Sequence, residues 1–177
     1  MPRLFTGFEM PSDVARELAS FCGALPGARW ISPEDYHVTL SFIGDVDDRQ
    51  CEEIIEELAS VRGAPLEIVL EGLSGFGGAR PRALIANARS DSLLTNVHKE
   101  QERALKRAGI ALERRRFIPH VTLARLCDVS PLELAQYMSM YAPPVIRFRI
   151  DRFVLFSARP HVGGGPYLIE AAYPLAV

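Results

Sequence analysis

Lysine is nearly absent from this chain: 2 residues stand against 18 arginines in a sequence of 177. The formal net charge is only −2, so the protein does not hold nucleic acid by bulk positive charge, and any RNA or DNA contact must be local. Cysteine is scarce and odd in number: Cys22, Cys51 and Cys127 fit neither a zinc pattern nor a disulfide framework, and a reducing cytosol is the expected compartment. The opening MPRLFTGFEMPSD is broken by Gly7, Glu9 and Pro11 before a signal-peptide core could form. No run approaches the roughly 18 apolar residues of a membrane helix. No membrane partner is expected. Apolar residues nevertheless make up 48% and charged ones 24%, the proportions of an ordinary globular protein.

Hydrophobic periodicity orders the elements. Residues 3–9 read as a strand, and Pro11-Ser12-Asp13 starts a helix whose Val14, Leu18, Phe21 and Leu25 share one face before Pro26-Gly27 ends it. Residues 36–43 form a second strand, and Asp47 and Asp48 open a second helix with Ile54, Ile55, Leu58 and Val61 inward. Strands at 66–73 and 82–88 flank the turn-rich SGFGGARP, and a third helix covers 92–108. A strand at 117–126 follows, then a helix from Ser130-Pro131 to about Tyr141 with Glu133 as its capping-box residue. Residues 145–156 alternate as one or two strands, and 167–173 form the last.

The tetrapeptide HVTL occurs twice, at 37–40 and 120–123, an offset of 83 residues. Each copy is followed by a helix, a strand, a Gly/Pro loop and a strand. One α+β unit is therefore duplicated, which most simply packs as two lobes about a pseudo-two-fold axis with the HVTL strands facing each other. The expected fold class is α+β: a bilobal duplicated unit, two antiparallel sheets flanking a central cleft, helices outside, and residues 1–177 forming a single domain.

In a strand, His37 and Thr39 share one face while Val38 and Leu40 take the other, and His120 and Thr122 repeat this against Val121 and Leu123. Each motif thus offers an imidazole and a hydroxyl about 6.6 Å apart. Half of the four histidines and half of the four threonines in the chain lie in these eight residues. Facing His/Thr pairs suit a phosphodiester. In-line displacement needs a base and an acid on opposite sides of phosphorus, and histidine can serve as either near neutral pH. Threonine hydroxyls can donate to the non-bridging oxygens as their charge grows. A structural, core-bonded histidine is the usual reading of one such motif, and repetition at equivalent positions argues against it. A two-histidine metal site lacks a third ligand, because Asp35 and Asp45 are not placed on the His37/Thr39 face of a regular strand; no metal or cofactor is expected.

With both motifs placed, the chain resembles the 2H phosphoesterases, and among them the bacterial RNA 2′,3′-cyclic phosphodiesterases, also called 2′-5′ RNA ligases. The resemblance runs through RLFTGFEMP at 3–11, LPGARWISPEDYHVTLSFIGDVD at 25–47, GLSGFG at 72–77, RRFIPHVTLARL at 115–126 and FVLFSARPHVGGGPYLIEAAYPL at 153–175. It implies that His37 is the proton donor to the leaving ribose oxygen and His120 the proton acceptor for water. It also implies that Thr39 and Thr122 hold the phosphate. Ile85 stands where relatives often carry a bulkier aromatic. The implied reaction opens a 2′,3′-cyclic phosphate to a 2′-phosphate, with 2′-5′ ligation as its reverse. The other readings are a nucleotide-binding module without turnover, or the same chemistry on 2′-5′ oligonucleotides or ADP-ribose cyclic phosphate. The partners are then RNA ends or nucleotides bearing the cyclic phosphate, taken up by a cytoplasmic monomer.

Other residues divide between chemistry and packing. Arg125 lies five residues after His120 and points away from it in a regular strand, leaving an exposed charge or a pair with Asp128. The resemblance places an arginine here near the phosphate, which would require twist or a bulge. Arg114, Arg115 and Arg116 either line the path of an RNA backbone or form a solvated loop. Phe42 is expected in the core, with base stacking as the alternative. Phe76 either packs at the rim or stacks a base. His98 and His161 lack hydroxyl partners and are assigned no chemistry, Cys127 has no neighbouring base, and GGGP at 163–166 lacks the Lys and helix of a phosphate loop.

Overall fold

A computed structural model describes residues 2–158 and 166–176. The elements run β1 (Arg3–Glu9), α1 (Ser12–Ala19), β2 (Ala28–Trp30), β3 (His37–Asp45), α2 (Asp48–Leu58), β4 (Leu66–Phe76), β5 (Ala83–Ala88), α3 (Ser92–Arg107), β6 (His120–Leu126), α4 (Pro131–Met140), β7 (Ile146–Ile150), β8 (Arg152–Ala158) and β9 (Tyr167–Pro174). The fold is α+β, and every strand pairing is antiparallel. Helix starts follow local chemistry. Asp47 with Gln50 and Ser130 with Glu133 form reciprocal capping boxes, and Asp91 accepts from the Leu94 amide.

The strand order β7-β4-β5-β6-β3-β1-β8-β9 mirrors the duplication: β6 answers to β3, β5 to β1 and β4 to β8, while β7 and β9, both from the second half of the chain, form the two edges. The two expected sheets meet at the centre through a single residue pair, Val38 with Val121, which joins them into one nine-stranded sheet with β2 beside β6. These two valines are 1% and 0% exposed and sit in the main core on the helix side. Because side chains alternate, the His/Thr residues on either side of them face the opposite, concave surface.

Two expectations are corrected. The first helix ends at Ala19 rather than near Leu25, since the amides of Phe21 and Cys22 turn tightly onto the carbonyls of Leu18 and Ala19. Strand β2 has no counterpart in the periodicity. It is three residues long, too short for any pattern to show, and exists only because β6 offers it an edge.

The two faces of the sheet differ. Leu4, Phe8, Val38, Leu40, Leu84 and Val121, among others, pack on the helix side. On the concave side Phe5, Val154 and Phe156 form a separate small cluster with Ala158 and Tyr167. Among the described residues, no helix is long and apolar enough to cross a membrane.

Candidate active site

Both motif histidines are half-buried on the concave face. Each is held in the same way: His37 Nδ1 lies 2.7 Å from the Asp35 carbonyl oxygen, and His120 Nδ1 lies 2.7 Å from that of Ile118. A carbonyl can only accept, so Nδ1 carries the hydrogen and Nε2 is the nitrogen left to exchange a proton. Extending the Val38–Val121 pairing by one residue sets His37 opposite Thr122 and Thr39 opposite His120. The two imidazoles then lie on a diagonal, which in a regular pair spans about 7–8 Å between Cα atoms. The four side chains lie on one face of the sheet, on either side of that single contact.

Aromatic rings cover both histidines. Phe5, Phe156 and Tyr167 lie 5.0, 5.4 and 5.0 Å from the His37 ring, and Phe76 stacks on His120 at 5.2 Å. Phe156 reaches His37 by passing over β1 at Gly7, where a Cβ would come within 3.3 Å of its ring and 2.7 Å of the Val38 carbonyl oxygen. Burial among these rings pushes the His37 pKa down to about 4. The bond to Asp35 opposes that, while the charges of His120 and Arg125 push further down. His37 therefore lies within the field of both groups.

Arg125 gets there through a bulge. Thr122 pairs with Ile85 but Ala124 pairs with Leu84, so Leu123 is an extra residue that reverses the alternation beyond it. Arg125 consequently shares the concave face with Thr122, and no ion pair joins it to Asp128 among the described residues. The first copy carries the same irregularity at Leu40, since Thr39 pairs with Gly7 but Ser41 with Thr6. This corrects the expectation for Phe42: it is 68% exposed on the concave face, with its ring 6.2 Å from Phe5. Phe42 and Arg125 occupy equivalent positions of the two copies, 83 residues apart. Beyond the rings that line His37, the cleft thus has a cationic end at Arg125 and an aromatic end at Phe42 and Phe76, beside His120.

At the aromatic end a cavity of about 170 Å³ is bounded by Thr39, Phe42, Phe76, Phe117, Ile118 and His120, with Arg115 and Arg116 at its wall. Phe76 is 42% exposed there. Arg115 is committed to Glu113 at 2.5 Å, and Arg114 does not line the cavity. His98 contributes its ring to the cavity wall, stacked at 4.0 Å on Phe117, with its pKa lowered by burial. Cys127 is exposed. His161 and residues 163–165 of the GGGP segment lie outside the described residues. Sequence reasoning misses Phe5, Phe156 and Tyr167. For Phe156 the signal is present in the alternation of FVLFSA, where every second residue faces the cleft, but only the sheet order brings β1, β8 and β9 together at His37. Among the described residues, no group of three or more His, Cys, Asp or Glu side chains is gathered as a metal site.

The same two-part organisation is found in known proteins. The family model described as LigT like Phosphoesterase matches residues 8–85 and 87–167, one stretch for each half. The chain belongs to the LigT-like phosphoesterases. Among curated members of that family, the RNA 2′,3′-cyclic phosphodiesterase of Geobacillus stearothermophilus is 30% identical over 97% of this chain. The match covers 56% of that relative's length, so this chain spans little more than half of it. The Thermotoga maritima protein of the same name is 28% identical over 88% of this chain and 86% of its own. Solved LigT-like structures share the fold. E. coli LigT complexed with 3′-AMP superposes with a TM-score of 0.79 at 18% identity over 100% of both chains. TT0787 of Thermus thermophilus gives 0.78 at 21% identity, covering 98% of this chain and 97% of its own.

Proposed function

We propose that this LigT-like phosphoesterase hydrolyses 2′,3′-cyclic phosphate ends of RNA or nucleotides to 2′-phosphates, using two histidines and no metal, and that residues 1–177 act as one domain in the cytosol. The observation that carries the reading is that the His/Thr pairs of both motifs lie on one face of two strands joined at Val38–Val121, with both Nδ1 atoms already engaged. The relatives' shared name, RNA 2′,3′-cyclic phosphodiesterase, supports the choice of substrate.

In this mechanism His120 Nε2 takes the proton of a water as its oxygen bonds to phosphorus. The bond to the ribose 3′ oxygen breaks on the far side, and His37 Nε2 gives that oxygen its proton. Thr39 and Thr122 donate to the non-bridging oxygens, and Arg125 offsets the charge that builds there. The terminal base occupies the aromatic end, between Phe42 and Phe76. With a 5′-hydroxyl in place of water, the same forward step forms a 2′-5′ linkage: His120 takes the hydroxyl proton, the bond to the 3′ oxygen breaks, and His37 protonates that oxygen.

The test is incubation with the four nucleoside 2′,3′-cyclic phosphates in the presence of a chelator, resolving 2′- from 3′-monophosphate. The expected product is the 2′-monophosphate. His37→Ala and His120→Ala should each lower kcat by about 10²–10⁴-fold while leaving circular dichroism unchanged. Nucleotide binding without any turnover by the parent protein would overturn the enzymatic reading.

A further inference from the structure

Strand β2 carries one side chain on the concave face. Ala28 and Trp30 pack against the main core, so Arg29 between them points the other way. Its register partner across the ladder is Arg125. Two arginines directly opposite each other on one face repel, and such a pair is unfavourable unless something negative lies between or beside them. Among the described residues, neither Arg29 nor Arg125 has a carboxylate within ion-pairing distance, although eight other arginines do.

The backbone that sets this pair is tightly specified. Gly27, at φ +82, accepts a hydrogen bond at its carbonyl from the Cys127 amide at 2.9 Å. A Cβ at Gly27 would stand 2.3 Å from the Cys127 carbonyl oxygen. On the other side the Ile31 amide donates to the Leu123 carbonyl at 2.8 Å, and Trp30 packs against Tyr137. A three-residue strand is thus clamped at both ends with its one outward side chain beside Arg125.

We propose that Arg29 binds a second phosphate, the one on the 5′ oxygen of the terminal nucleoside, and so selects RNA ends over bare cyclic mononucleotides. This rests on the reading of the cleft as a cyclic-phosphate site. Arg125 serves the reacting phosphate, the aromatic end takes the base, and Arg29 extends the positive lane away from both. At the opposite end Arg115 is paired with Glu113 and Arg116 stands at the wall of the base cavity, whereas Arg29 adjoins Arg125 on the ladder, with no carboxylate in ion-pairing distance among the described residues.

Three substrates of one base separate the contributions: the nucleoside 2′,3′-cyclic phosphate, its 5′-phosphorylated form, and the dinucleotide ending in the same cyclic phosphate. The parent protein should favour the last two over the first in kcat/KM by on the order of 10-fold at low salt. Arg29→Gln should bring that ratio close to 1, whereas Arg149→Gln, which removes the same charge from β7 at the far edge of the sheet, should not. The proposal fails if Arg29→Gln retains the parent ratio, if Arg149→Gln or Arg116→Gln lowers it equally, or if only the dinucleotide is favoured, which would mean recognition of the added nucleoside. Calorimetric binding of a nucleoside 2′,5′-bisphosphate against the 2′-monophosphate gives the same comparison without turnover. Hydrolysis of none of the three substrates would count against the proposed reaction, and the binding ratio would still decide the role of Arg29.

Discussion

His37 is neutral at pH 7 in the free protein, because burial holds its pKa near 4. A proton donor must nevertheless carry its proton when the bond breaks. The group reconciling the two is the substrate: a phosphodiester anion against Nε2 favours the imidazolium and raises the pKa in the complex. The sign is definite. The limb that falls as His37 loses its proton should lie at lower pH in kcat/KM, which reports the free enzyme, than in kcat, which reports the complex. Initial rates between pH 4 and 9 on a cyclic mononucleotide test this, and coincident falling limbs in the two profiles would remove His37 from the donor role. The anchoring of both rings at the Asp35 and Ile118 carbonyls is not readable from residue types, since the same tetrapeptide could have turned either nitrogen outward. What the residue types do announce is the chemistry: two imidazoles and two hydroxyls at matched spacing.

At the level of the element, alternation along a strand places His37 and Thr39 correctly and misplaces Phe42. The difference is one extra residue. Periodicity assumes a regular ladder, and the bulges at Leu40 and Leu123 depend on how β1 and β5 pair with their neighbours, which no single strand encodes. The same applies to β2, whose existence depends on Gly27 approaching Cys127. Gly27→Ala should destabilise the protein by roughly 2 kcal/mol or more, through both the left-handed backbone and the clash with the Cys127 carbonyl. Chemical denaturation of the variant checks this; an unchanged midpoint would mean that β2 contributes nothing to the native fold.

Over the whole molecule the duplication is legible in the sequence and nearly complete in the structure, but function enters where it is broken. Phe42 and Arg125 are equivalent positions with opposite chemistry, one at each end of the cleft. Arg125→Ala should weaken binding of both inorganic phosphate and a 2′-nucleotide, while Phe42→Ala should weaken only the nucleotide. Each loss should be on the order of 10-fold, since an arginine–phosphate contact and a base–aromatic stack carry similar free energies. Titration calorimetry with the two ligands gives the comparison, and equal loss of inorganic phosphate in both variants would refute the division of the cleft.

The amino-acid sequence by itself determined the α+β class, most helix starts, the duplication and the four motif side chains, because capping, alternation and repetition are local or self-evident along the chain. Only the tertiary structure decided that the sheets fuse at Val38–Val121, that Phe5, Phe156 and Tyr167 enclose His37, and that Arg29 lies against Arg125. These are contacts between strands remote in sequence, and they follow from pairing register and bulges, which are settled only when the partner strands are in place.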